Sequence, residues 1–185
     1  MEMKKYYYNS DIQVGFNIES EWNKIVWTSL NFAKPQELRD EAGIYRVQLL
    51  RFDLREGPMP THFVGSHELF ADLTQDTYLS VGKTTNLQRR LLREHFGSDH
   101  SGNRLGRHLA TLFPTYGVAG KYTPKRKNAR EQKYFYIDKN GVQSLIGEGK
   151  IRIDFFYEDI WWKRDLFETY GKAHYKCLFD LGVEH

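Results

Sequence analysis

Two stretches with strand character, Gly43 to Leu50 and Thr77 to Val81, are followed at once by a helical stretch, and that order admits few folds. Ile44, Tyr45, Val47, Leu49 and Leu50 suit a half-buried sheet. The connection from Phe52 to Gln75 opens irregularly at Gly57-Pro58-Met59-Pro60. The two strands therefore close a hairpin across an insertion at 52–75. Thr84-Thr85-Asn86 offers N-cap chemistry, so a helix is expected from there to about Phe96. After the turn-rich Gly97-Ser98-Asp99-His100-Ser101-Gly102, Asn103 to Phe113 reads as another helix. Ile151, Ile153, Phe155 and Tyr157 alternate with Arg152 and Asp154, which marks a third strand.

Helical spacing recurs at both ends of the chain. Ile18, Trp22, Ile25, Val26 and Leu30 predict a helix over 18–30. Trp162, Leu166, Tyr170, Ala173, Cys177 and Leu181 predict a long final helix with one apolar stripe. Elements in this order pack as an α+β domain, a small antiparallel sheet of about three strands flanked by helices. The expected organisation is a helical extension over 1–42 packed on a core domain over 43–185.

A chain of 185 residues is long enough for one such core. Cys177 is the single cysteine, so neither an internal disulfide nor a cysteine-based zinc site can form. The amino end carries no apolar signal segment, and no apolar run approaches the ~20 residues of a membrane span. A cytoplasmic protein without a membrane partner is expected. The net charge of +3 permits nucleic-acid binding without implying it, so clustering matters more than the total. Lys121, Lys125, Arg126, Lys127, Arg130 and Lys133 do cluster, among tyrosines. Such a segment can follow a phosphate backbone, or it can simply be a solvated loop.

Gly43-Ile44-Tyr45, then Val81-Gly82-Lys83-Thr84-Thr85-Asn86-Leu87 with Arg90, lie on two strands and the helix after them. In this order they resemble the GIY-YIG nuclease family, over roughly Gly43 to Asp180. The resemblance implies a phosphodiester hydrolase acting on DNA. It implies that Tyr45 faces a phosphate, that Gly82 lets backbone pass close to the site, and that Arg90 is the helix arginine. Charge builds on phosphorus during cleavage, and a guanidinium holds it through two oxygens at once. Arg89 and Arg93 flank Arg90, and Lys83 stands where the loop enters the helix. The family's late-helix glutamate is matched best by Glu168, with Asp165 as the fallback. One carboxylate with phosphate oxygens and water suits Mg²⁺ or another divalent cation.

The chain departs from the family pattern at two places. The second signature has Ser80 where a tyrosine is expected, and the tyrosine is Tyr78. Two places back along a regular strand keeps the same face, so Tyr78 is expected to reach the site from ~7 Å further off, with Ser80 beside the phosphate. The histidine is His95, five residues after Arg90 instead of four, and Glu94 takes the facing slot. On an ideal helix His95 stands ~140° around from Arg90. Either a π-bulge realigns it, or His95 is structural and another group serves, with His100 and His108 nearby. Asp180 stands where the family often has an asparagine.

The expected catalytic set is Tyr45, Tyr78, Arg90, His95 and Glu168. The expected substrate contacts are Ser80, Gly82, Lys83, Arg89, Arg93, Lys125, Arg126, Lys127 and Arg130. Tyr45 is the general base of choice, acting on water directly or through His95, once a nearby cation lowers a phenol that ionises near ~10. Gly82-Lys83-Thr84 is not a phosphate-binding P-loop, because Thr77 occupies the position of the required first glycine. The leading expectation is a compact Mg²⁺-dependent DNA endonuclease, of restriction type and acting as a homodimer if it cuts palindromes. The alternative is a non-catalytic nucleic-acid-binding protein on the same scaffold. An unrelated α+β interaction module with a chance match is the third reading.

Overall fold

The computed structural model describes residues 16–52, 77–97, 103–123 and 130–179. It shows an α+β fold whose main sheet has four antiparallel strands. These are β1 (Thr28–Ser29), β2 (Gly43–Leu49), β3 (Tyr78–Thr84) and β6 (Ile151–Tyr157), in the spatial order β1-β6-β2-β3. A separate two-stranded ribbon is formed by β4 (Gly117–Tyr122) and β5 (Gln132–Ile137). The helices are α1 (Ile18–Asn23), α2 (an α-turn over Leu87–Arg89 that runs on as a π-turn over Arg90–Glu94), α3 (Arg104–Leu112), α4 (Lys139–Gly147) and α5 (Trp161–Tyr175). Residues 53–76, which make up most of the expected insertion, lie outside the described residues.

Side chains alternate across β2 and β6, and both faces of the sheet are covered. Tyr45, Val47 and Leu49 join Ile151, Ile153 and Phe155 in a large core with Leu87 and Leu91 of α2 and Leu105 and Leu109 of α3. Ile44 and Val81 face the other way, against Trp22 of α1 and Phe167 of α5. That double cover explains why β2 is almost wholly buried although its sequence alternates only in part.

Three expectations change here. The first helix stops at Asn23, and the chain turns to add β1 to the sheet beside β6, with Leu30 N–H donating to Ile153 C=O at 2.8 Å. Val26, expected on the helix stripe, is 84% exposed. The final helix buries Arg164, Phe167 and Gly171, not the stripe through Leu166, and it closes at Lys176 in the left-handed region. Gly171 explains the choice of face: a Cβ there would meet the Trp22 ring, so α5 can press against α1 only where a side chain is missing. The sequence beyond residue 116 supplies β4 and β5, which had no predicted counterpart, with residues 124–129 between them outside the described residues, and α4, whose Asp138 cap accepts from Gly141 N–H at 2.9 Å, was likewise not expected.

A further change is in β3. Val47 pairs with Ser80, but Gln48 pairs with Tyr78, so Leu79 is an extra residue in the strand. The bulge sends Leu79 into the large core and turns Tyr78 to the opposite face. Tyr78 therefore does not share the face of Ser80. It stacks on Tyr175 at 3.7 Å between ring centres, next to the Arg46 guanidinium.

That second face holds a buried ionic cluster. Arg46 donates through Nε at 3.1 Å and approaches through Nη2 at 3.0 Å to Asp154 Oδ2, and the two side chains are 12% and 3% exposed. Ser29 Oγ donates to the other Asp154 oxygen at 2.7 Å, and Arg46 Nη1 donates to the Tyr175 hydroxyl at 2.6 Å. Removing one partner of such a pair leaves a buried charge uncompensated. Asp154→Ala is expected to cost about 3–5 kcal/mol, against about 1 kcal/mol for Ser29→Ala. Urea denaturation midpoints of the two variants check this ordering.

Candidate functional site

The site is assembled at the β3 end of the sheet, where β2, α2, α3 and α5 meet. Tyr45 points from the middle of β2 across its register partner Gly82 on β3. A Cβ at position 82 would overlap the phenol, so the ring lies over bare backbone and only glycine admits it. Tyr45 is 3% exposed, and its hydroxyl lies 2.5 Å from Nε2 of His95, which is also 3% exposed. One of these two atoms donates and the other accepts, so the pair shares a proton.

The π-turn makes this contact. Asn86 caps α2, its side chain accepting from Arg89 N–H at 2.7 Å. The helix then widens, and His95 N–H donates to Arg90 C=O at 3.0 Å, five residues back. The extra residue brings His95 to the same cavity as Arg90, with Leu91 buried in the core beneath them. Of the two alternatives left open by the sequence, the realigned one is present. Glu94, four residues from Arg90, accepts from Arg90 Nη1 at 2.8 Å and pairs with Arg89 Nε at 2.9 Å. Burial pulls the Arg90 guanidinium down, but Tyr45 and Glu94 more than offset it, so Arg90 is held more firmly protonated than usual.

Glu168 approaches from α5. Its side chain is 18% exposed and sits between two ammonium groups, Lys83 Nζ at 3.3 Å and Lys172 Nζ at 3.0 Å. Lys83 also binds Asp165, which is half exposed, at 2.8 Å. The hydrogen bond to Asp165 first, and Glu168 after it, push Lys83 up against an opposing effect of burial, so it stays cationic.

These groups line one cavity of about 210 Å³. Tyr45, Ser80, Gly82, Lys83, Arg90, His95 and Glu168 all face it, seven of the residues expected from the sequence. Tyr78 does not, and burial raises its phenol further from ionisation at neutral pH. Arg89 and Arg93 lie off the cavity on the outer side of α2, and Arg130 is exposed beside β5. Lys125, Arg126, Lys127, His100 and Asp180 lie outside the described residues.

Arg104 and Lys172 were not among the expected site residues, yet they line the same cavity, together with His108, which the sequence offered only as a stand-in for His95. Lys172 carries a sequence signal, since it stands four places after Glu168 on one helix. Arg104 carries none, because the break before α3 hides which way that helix faces. Burial first, then Arg104 and Arg107, hold the His108 imidazole down at about 4.

Among the described residues no three His, Cys, Asp or Glu side chains converge on a metal position. Among the described residues Glu168 is the single carboxylate that lines the cavity. That donor set fits a cation that keeps most of its waters and takes its remaining oxygens from a bound phosphate. It does not fit a cation that needs a full protein cage. Among the described residues no helix is long and apolar enough to cross a membrane. No protein-family model, curated protein or solved structure matches this chain.

Two outcomes follow from this packing. Gly82→Ala is expected to lower stability by about 1–3 kcal/mol and to push the Tyr45 hydroxyl away from His95. Denaturation midpoints and a phenol absorbance titration read the two effects. His108 accepts a proton near ~6.5 in the unfolded chain but only at about 4 when folded. Between those values the unfolded state binds more protons, so this group removes stability as the pH falls through that window. Thermal melts from pH 7 to pH 4 are expected to fall less steeply for His108→Gln than for the parent.

Proposed function

We propose that this chain is a Mg²⁺-dependent endonuclease of the GIY-YIG kind that hydrolyses a phosphodiester bond in DNA. The observation that carries the reading is the 2.5 Å contact between the Tyr45 hydroxyl and His95 Nε2, in a cavity that also receives Arg90 and Glu168. Those four side chains come from three segments well separated along the polypeptide, Tyr45 on β2, Arg90 on α2 with His95 at its end, and Glu168 on α5. Convergence of a phenol, an imidazole, a guanidinium and a carboxylate is what hydrolysis of a phosphodiester asks for.

The residues divide the work as follows. Arg90, Lys83 and Lys172 bind the scissile phosphate through its free oxygens, and Arg90 gains most as charge develops there. Tyr45 holds the attacking water by hydrogen bonding. As the water oxygen forms its bond to phosphorus, the water proton passes to the Tyr45 oxygen and the phenolic proton passes to His95 Nε2. The ester bond opposite the water breaks, and the departing oxygen takes a proton from solvent. Glu168 would hold the divalent cation, which when bound screens the phosphate and stabilises the leaving oxygen. Phosphate binding gives Lys83 and Lys172 new anionic partners and frees the Glu168 oxygens for this role.

Supercoiled plasmid cleavage in Mg²⁺ tests the proposal. Tyr45→Phe, Arg90→Ala and Glu168→Ala are each expected to lower the cutting rate by about 10²–10³, and EDTA is expected to stop the parent. A parent protein that binds DNA without ever cutting it would move the assignment to the non-catalytic binding protein. If neither binding nor cutting occurs, the DNA-directed reading is lost.

A further inference from the structure

The β4–β5 ribbon stands outside the main sheet, and the side chains on its outer face are exposed. Lys121 and Lys133 lie directly opposite each other on that face, with Ala119 opposite Phe135 one step further along. All four are exposed, and Phe135 is 65% exposed. Like charges placed face to face across two strands oppose folding, and among the described residues Glu131 offsets this at Lys121, at 3.2 Å. Phe135 places a large exposed aromatic ring beside these two lysines. Between Gly117 and Ile137 the sequence holds one acidic residue, Glu131, so the complementary partner is an anion.

The inner face of the ribbon ties it to the cavity. Tyr134 of β5 receives a hydrogen bond from Asn103 Nδ2 at 3.5 Å and lies beside the Arg107 guanidinium. Arg104, on the same first turn of α3, lines the cavity. Ribbon and cavity therefore share one rigid support.

We infer that the β4–β5 ribbon enters the major groove of duplex DNA and sets B-form duplex as the substrate class; this rests on the DNA-directed reading of the cavity. A B-form major groove admits a two-stranded ribbon, whereas that of an A-form RNA duplex is too deep and narrow for side chains to read. Lys121 and Lys133 neutralise phosphates on the groove walls. Phe135 makes apolar contact with base edges, for which the thymine methyl group is the natural partner.

Fluorescence anisotropy with a labelled DNA duplex and an RNA duplex of the same sequence, in EDTA so that nothing is cut, tests the ribbon. The doubly substituted Lys121→Ala/Lys133→Ala protein is expected to bind the DNA duplex at least about tenfold more weakly, with a salt slope shallower by about 2. Phe135→Ala is expected to weaken binding several-fold with the slope unchanged, and the parent is expected to prefer DNA over RNA by about tenfold or more. Near-ultraviolet circular dichroism checks that these exposed substitutions leave the fold intact. If the parent cuts plasmid while the ribbon variants bind like it, the ribbon has no such role and the nuclease reading stands. Equal binding of the RNA duplex also overturns the groove assignment. Weakened variants of a parent that binds but does not cut uphold the ribbon and remove the catalytic reading. A parent that binds neither duplex overturns both.

Discussion

The hydrogen bond from His95 N–H to Arg90 C=O, 3.0 Å long and spanning five residues, is the contact on which the site depends. A regular α-helix would bond His95 to Leu91 and carry the imidazole ~140° away from Arg90. Widening the turn places His95 against Tyr45 and keeps Arg90 in the same cavity. A π-turn is a poor helical segment by itself. It persists here because its neighbours fix it: Asn86 caps the start, Leu87 and Leu91 are fully buried, and Phe96 anchors the end. The irregularity lies within a helix whose apolar residues leave it no other seat.

A second one-residue irregularity works in the opposite sense. Leu79 is the extra residue in β3, and it removes Tyr78 from the face that Ser80 and Gly82 keep. Both insertions explain what could be read from the sequence. Strand and helix periods located β2, β6 and α3 within a residue or two, because each is set by many apolar side chains at once. A single added residue changes no composition and breaks no period until neighbouring elements define the face. The π-turn was legible as one of two alternatives because Glu94 and His95 occupy adjacent positions. The bulge was not, because Tyr78-Leu79-Ser80 fits a regular strand equally well. The α5 stripe misled for a related reason: apolar residues at helical spacing named a face, but Gly171 and the buried aliphatic part of Arg164 determined the one that packs.

The electrostatics of the cavity have a direction. Among the described residues Lys83, Arg90, Arg104 and Lys172 line it, against the one carboxylate of Glu168. Like-charged groups gathered around a concave surface repel one another unless an anion completes them. Glu168 supplies part of that anion by lying between Lys83 and Lys172, and Glu94 does the same for Arg90 from the rim. A phosphate diester carries its single charge on two free oxygens and adds a further anionic partner for these cations. The arrangement favours an anionic ligand over a neutral one, whatever chemistry follows.

The two faces of β2 connect this cavity to the rest of the molecule. Tyr45 projects into the site, while Arg46, the next residue, projects into the ionic cluster on the other side. That cluster binds β2 to β6 through Asp154, and reaches α5 through the Tyr175 hydroxyl. The same helix carries Glu168 and Lys172 to the cavity, and at Gly171 it packs closely on Trp22 of α1. The position of Glu168 relative to Tyr45 is therefore fixed through contacts on the far side of the sheet. A carboxylate on a surface helix would by itself wander by a rotamer or more. Here the buried charges that stabilise the sheet also hold the helix that bears it.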